Sequence, residues 1–370
     1  MKMNFIKGAD VSFLETIEAN GGRFFDNGEK RDLFRILKDH DFNLIRLRLF
    51  NDPYDSRGRS YGAGGCDEDF LIRMAERCRK ASLNWMLDFH YSDCWADPGK
   101  QTMPKAWRML EYDQLQEAVY QYTRSVLVHL KNRNLAPVMV AVGNEITNGL
   151  LWPVGAKGND KEIAGLVSAG IRAVREVLPL AKVMIHLDQG GNNELYVSFF
   201  DSYLANGGED FDVIGLSYYP FWHGPMSALK ANMDDLAVRY EKDLLVTETS
   251  YAFTLEDYQD HEKRADNQRK GMAVREAMLK SDLPYPISKA GQRDYMIELM
   301  KLIRTVPEGR GLGFVYWGGE CLPVENSDWA TEEGIAYMHE KGPLGNEWAN
   351  QALFDYDGNS LEVLDAIRDH

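Results

Sequence analysis

Two glutamates, each at the end of an apolar run, are the residues of this sequence best suited to chemistry. Glu145 follows Val138-Met139-Val140-Ala141-Val142-Gly143-Asn144, and Glu248 follows Leu244-Leu245-Val246-Thr247. A facing pair of carboxylates suits glycoside hydrolysis, in which one carboxyl keeps a proton for the leaving oxygen. The other attacks the anomeric carbon or, at a wider separation, activates water. More polar residues end apolar runs in the same way: Arg46 and Arg48, Asp88 and His90, Asn144, His186 and Asp188, Tyr218 and Tyr219, and Trp317. One such residue could be a satisfied structural group, but so many strand ends together point to a shared site. Arg46 is expected to hold the nucleophile ionised, with a tyrosine hydroxyl from 218 or 219 adding a hydrogen bond. Trp95, Trp222 and Trp317 stand beside these polar ends, and a flat ring with a polar N–H suits the face of a sugar. Trp107 and Trp152 read equally well as packing residues.

Other chemistries fit less well. His90, Asp93, His186, Asp188 and His223 could ligate a metal, but no His-x-His pair occurs, and their spacing serves hydrogen bonds to sugar hydroxyls equally. Lys182 and Lys242 stand at the starts of apolar runs, the wrong end for a Schiff-base lysine. Residues 251–290 show no oxygen-ligand pattern of a calcium loop. No metal and no cofactor is therefore expected.

The elements that must position these residues are eight apolar runs, at 5–12, 43–50, 84–91, 137–146, 182–188, 211–220, 243–250 and 311–318. Between them, apolar residues recur at helical spacing over 67–82, 115–132, 160–178, 227–241 and 291–305. Strands that alternate with helices pair in parallel through crossovers. Eight units predict an α/β fold, one (β/α)8 TIM barrel spanning 1–370, in place of a doubly wound sheet, since no GxGxxG follows the first strand. A minimal barrel needs about 250 residues. The surplus falls after strand ends, at 51–66, 92–114, 251–290 and 319–350, so long βα loops are expected on the face where barrels carry their sites.

Composition narrows the partners. Lys and Arg number 42 against 57 Asp and Glu, a net charge of −15, which argues against nucleic acid or an anionic membrane. No apolar run is long enough to span a bilayer. Asn4, Lys7 and Asp10 interrupt the start, so a cytoplasmic location is expected unless a signal was removed. Cys66, Cys78, Cys94 and Cys321 form no CxxC pair and no disulfide framework. No motif bears on oligomeric state.

Several segments resemble glycoside hydrolase family 53, the endo-β-1,4-galactanases. They are Leu87-Asp88-Phe89-His90-Tyr91-Ser92-Asp93-Cys94-Trp95-Ala96-Asp97-Pro98-Gly99-Lys100-Gln101, with Cys94 where the family has Phe; Gly143-Asn144-Glu145-Ile146-Thr147-Asn148-Gly149; Ser217-Tyr218-Tyr219-Pro220-Phe221-Trp222-His223-Gly224; and Thr247-Glu248-Thr249-Ser250-Tyr251. The resemblance implies a retaining hydrolase of neutral β-1,4-galactan or galacto-oligosaccharides, with Glu145 as acid/base and Glu248 as nucleophile. It implies that Arg46, Asn144 and Tyr218 support that pair, and that Asp88, His90, His186 and Trp317 line the glycone side. After Trp317 the chain runs Gly318-Gly319-Glu320-Cys321-Leu322-Pro323 in place of the family's aromatic segment, so an aromatic wall is expected to be missing there. Two alternatives stay open. One is a related barrel hydrolase acting on mannan, xylan or short galacto-oligosaccharides; the other is a catalytically silent carbohydrate-binding barrel.

Overall fold

The computed structural model describes residues 4–279 and 283–370. Eight parallel strands close into a barrel: β1 (Ile6–Asp10), β2 (Leu44–Leu49), β3 (Asn84–Phe89), β4 (Met139–Val142), β5 (Lys182–Leu187), β6 (Val213–Ser217), β7 (Asp243–Thr249) and β8 (Gly311–Tyr316). The ring closes where Ile6 pairs with Gly313 and Ala9 with Tyr316. The outer helices are α1 (Leu33–Asp39), α2 (Glu68–Ala81), α3 (Tyr112–Asn132), α4 (Asp160–Val177), α5 (Asn193–Ala205), α6 (Met226–Tyr240), α7 (Lys289–Arg304) and α8 (Glu362–Asp369). This is the (β/α)8 barrel expected, with all eight strands where the apolar runs put them.

Local chemistry explains the helix bounds. Asp67 caps α2 by accepting the Phe70 N–H at 2.7 Å, and Ser288 caps α7 through the Gly291 N–H at 3.0 Å. On α2 the buried residues are Phe70, Leu71, Met74, Ala75 and Cys78, the stripe legible in the sequence. Strand β4 is shorter than the run 137–146 suggests. Gly143 (φ 90°) and Glu145 (φ 47°) take left-handed conformations that turn the chain out of the sheet after Val142.

The barrel interior is layered. Ile6, Leu44, Met86, Met139, Met184, Val213, Leu245 and Val315 fill its lower part. Side chains alternate along a strand, so positions two further on face the same interior. Those positions include Arg46 after Leu44, Asp88 after Met86, and His186 after Met184. The interior thus changes from apolar to charged toward the C-terminal ends of the strands, and the mouth is the polar layer.

The long loop after β8 forms a strap that reaches the loops after β2 and β3. Its short helix, Glu332–Met338, stacks Tyr337 on Tyr61 with ring centroids 4.5 Å apart, and the Tyr337 hydroxyl donates to Asp93 at 3.1 Å. Trp95 Nε1 donates to the Trp329 carbonyl at 2.8 Å, and Lys100 pairs with Glu340 at 3.0 Å.

Candidate active site

Glu145 and Glu248 rise from β4 and β7 and meet over the barrel mouth. Carboxylate oxygens of the two and a His186 ring nitrogen lie within 4.8 Å of one another. Carboxylate oxygens this close suit the short spacing, about 5–5.5 Å between carboxyl groups, used by retaining glycosidases better than the wider gap that seats a water. Each glutamate is aimed by an irregularity of the backbone. The left-handed turn at Glu145 swings its side chain over the mouth. In β7 the register against β8 shifts between Val246 and Thr249, a bulge that re-aims Glu248.

The surroundings of the two differ. Arg46 Nη1 lies 2.7 Å from Glu248 Oε1, and the Tyr219 hydroxyl donates to Oε2 at 3.0 Å. Glu145 faces no cation in this layer; its neighbours are the charges of Glu248 and Asp188 and the Ser217 hydroxyl. Burial raises both carboxyls. Glu145 rises well above the usual range because the Glu248 charge adds to its burial, whereas Arg46 and Tyr219 counter the rise at Glu248. One proton shared by the pair therefore resides on Glu145, an arrangement that fits Glu145 for the part of an acid and Glu248 for that of a nucleophile.

A buried network holds Arg46. Its Nη2 donates to Asp88 at 2.7 Å and to Asn144 Oδ1 at 2.8 Å, and Nη1 lies 3.5 Å from Asp10. Burial alone would raise Asp88, but Arg46 and then His90 hold it below the ordinary carboxylate range. His186 is pushed down to about 3, chiefly by burial and then by Arg46, so it is neutral. With Asn144 Oδ1 3.0 Å from its Nδ1, the proton sits on Nδ1, and Nε2 accepts from Ser217 Oγ at 2.9 Å. Asn144 Nδ2 donates to the Ala96 carbonyl at 2.8 Å.

The cleft over this layer is lined by Arg46, Arg48, His90, Trp95, Asn144, Glu145, Asp188, Tyr219, Trp222, Glu248 and Trp317, joined by Phe13, Trp329 and Trp348. Most residues named from the sequence come together here, with three corrections. Tyr218 is not the supporting tyrosine: its hydroxyl donates to the Gly224 carbonyl at 2.8 Å, and the hydroxyl on Glu248 belongs to Tyr219. Asp88 and His186 do not line the glycone side. Both are fully buried beneath the cleft floor, where they orient Arg46, Asn144 and Ser217. The aromatic wall is present, because Trp348, far along the β8 loop, packs edge-on against Trp317 at 4.4 Å. Trp95 lines the cleft through its ring alone, since its N–H is held by Trp329.

Glu145, His186 and Glu248 have the proximity of a metal site. Both His186 nitrogens are engaged by Asn144 and Ser217, and both Glu248 oxygens by Arg46 and Tyr219, so the donor set is committed to this chain's own groups. Glu262 of the β7 loop and Asp328 of the β8 loop share Arg264 as a cation, at 3.6 and 2.6 Å.

Residues 6–367 match Glycosyl hydrolase family 53. The chain belongs to that family. The catalytic domain of an Ignisphaera aggregans GH53 protein superposes with a TM-score of 0.87 at 39% identity, covering 99% of this chain and 96% of that one. An uncharacterized protein in the bgaB 5′ region of Niallia circulans is 41% identical over 98% of this chain and 93% of its own length. The endo-beta-1,4-galactanase of Bacillus subtilis (strain 168) is 34% identical over 100% of this chain and 86% of its own length. As a family 53 glycoside hydrolase, the chain is an enzyme.

Four site residues were not named from the sequence: Phe13, Ser217, Trp329 and Trp348. Ser217 and Tyr219 carried a usable signal, since Val213, Gly215, Ser217 and Tyr219 share one strand parity and face the interior. Trp348 opens a late segment, Trp348-Ala349-Asn350-Gln351-Ala352-Leu353-Phe354-Asp355, that also resembles the family, but its place beside Trp317 carried no signal, since the whole strap separates the two.

Proposed function

We infer that the chain cleaves internal β-1,4-galactosidic bonds of galactan or type I arabinogalactan with retention. One observation carries the mechanism: two buried carboxylates within 4.8 Å, of which only Glu248 has a cation and a phenol. Glu145 gives its proton to the glycosidic oxygen while Glu248 attacks the anomeric carbon. The C–O bond to the leaving sugar breaks and a galactosyl ester forms on Glu248. Glu145, now ionised, takes a proton from water, and the hydroxide displaces Glu248 from the anomeric carbon. The interactions of Arg46 with Oε1 and of Tyr219 with Oε2 weaken as the carboxylate loses its charge to the ester, and strengthen again when it is released.

The choice of sugar is supported by the galactanase names of the relatives, and the Trp95, Trp222, Trp317 and Trp348 rings that line the cleft suit the faces of sugar rings. The test is the product profile on linear β-1,4-galactan, mannan and xylan, with NMR of the first-formed anomer. Galacto-oligosaccharides of β configuration support the reading. Cleavage of mannan or xylan with galactan untouched, or an α-anomer as first product, refutes it. Glu248→Ala should abolish turnover and leave oligosaccharide binding measurable.

A further inference from the structure

Glu320 is a buried carboxyl that the mechanism does not use. It follows Gly318, whose φ of 72° turns the chain back over the barrel after Trp317. The side chain is 1% exposed. Its Oε1 accepts the Phe13 backbone N–H at 3.1 Å, a link between the β8 loop and the end of β1. Phe13 in turn supports one wall of the cleft. The Arg48 guanidinium lies 4.2 Å from the Phe13 ring centroid and 4.3 Å from that of Trp95, in the corner formed by the two rings, whose centroids are 5.8 Å apart. Trp317 meets Phe13 edge-on at 6.4 Å. Phe13, Arg48, Trp95 and Trp317 all face the cleft.

We propose that Glu320 is a positioning residue, whose carboxyl fixes Phe13 and, through Phe13, the Arg48–Trp95 stack on which the substrate rests. Three ionisable groups face it: Asp10 from β1, Arg48 from β2, and Cys321 beside it in the loop. Among the described residues Glu320 Oε2 has no hydrogen-bond partner, and Asp10 Oδ2 faces the Arg46 guanidinium at 3.5 Å. Burial, and after it the Asp10 charge, push the Glu320 carboxyl up to about 8. At neutral pH Glu320 is therefore an acid with a proton of its own. At higher pH its ionisation puts a second negative charge beside Asp10, which draws the Arg48 guanidinium, 3.7 Å from Asp10, toward the carboxylates and away from the two rings.

The experiment places Glu320→Gln and Glu320→Ala in a Glu145→Gln background, where no turnover occurs and residue 145 cannot titrate. Galactotetraose affinity is followed from pH 6 to pH 10; the choice of this sugar rests on the proposed function. With Glu320 intact, affinity should fall by about tenfold as pH rises through 8. Glu320→Gln, an uncharged mimic of the protonated acid, should match the parent at pH 7 and stay level. Glu320→Ala should bind about tenfold more weakly at every pH. An unchanged affinity across pH in the parent, or the same alkaline fall in Glu320→Gln, overturns the proposal.

A readout without sugar separates this from a failure of the substrate reading. Tryptophan emission of the free enzyme should change with a midpoint near pH 8, and the change should vanish in Glu320→Gln and in Trp95→Phe. If galactotetraose never binds, the substrate is wrong and the emission decides. An emission change that persists in Glu320→Gln, or none in the parent, refutes the positioning role.

Discussion

Replacing Tyr219 with Phe isolates one interaction in the active site. The change removes a single hydroxyl, which donates at 3.0 Å to Glu248 Oε2 in a layer closed to solvent. Hydrogen bonds to charged groups contribute about 1.5–3 kcal/mol. At 1.36 kcal/mol per pKa unit this is about one to two units. The sign follows from the acceptor: the bond favours the ionised nucleophile, so its loss raises the pKa of Glu248. The acid limb of kcat/KM should therefore move up by about one to two pH units. Because the two glutamates titrate as a pair, the limb reports the pair's first deprotonation, and Glu248 dominates it. The control is Tyr218→Phe, which frees the Gly224 carbonyl and should cost about 1 kcal/mol of stability without moving the limb. The assay is kcat/KM on a soluble galacto-oligosaccharide between pH 3 and pH 9. A Tyr219→Phe limb that stays in place, or a Tyr218→Phe limb that moves equally, would refute the assignment.

Further outcomes follow from the same network. His186 is neutral when folded and pushed down to about 3, so acid favours its protonation in the unfolded chain. Its contribution to stability is complete above the unfolded value of about 6.5 and is lost at about 1.4 kcal/mol per pH unit below that, until the folded pKa is reached. Denaturant unfolding at pH 7 and pH 4.5 should show this loss shrink in His186→Gln. Arg46→Gln strands Asp88 and Glu248 as buried charges and should cost about 3–5 kcal/mol, read as the fall in unfolding free energy. Trp348→Ala removes the ring packed on Trp317 and should raise KM about tenfold with kcat changed far less; an unchanged KM would show that the rebuilt wall does not touch substrate.

The barrel was legible because each strand is a short apolar run that ends in polar residues, a pattern set by burial below and solvent above. Helices α2, α4 and α7 were legible from their one-sided stripes. Helix α5 was not, because Leu195, Tyr196, Phe199, Phe200 and Tyr203 spread apolar character around too much of its surface. Helix α1, of seven residues, is too short to show a period. At the site, strand position alone named Glu145, Glu248 and Arg46. The error at Tyr218 came from ignoring parity within β6. The aim of Glu248 depends on a bulge in β7, and the Trp348 wall on a strap whose docking no local pattern announces.

The left-handed backbone at Glu145 has a consequence beyond geometry. A residue with a Cβ loses about 1–2 kcal/mol in that conformation, and here the same residue also carries a buried carboxyl opposite another. The fold would thus be sturdier without its own acid. Glu145→Gly should melt at a higher temperature than the parent while showing no hydrolysis, an instance of stability traded for activity. Its cleft would keep Trp95, Trp222 and Trp317 in place, so the disabled enzyme becomes a robust capture reagent for the polysaccharide that the intact one degrades.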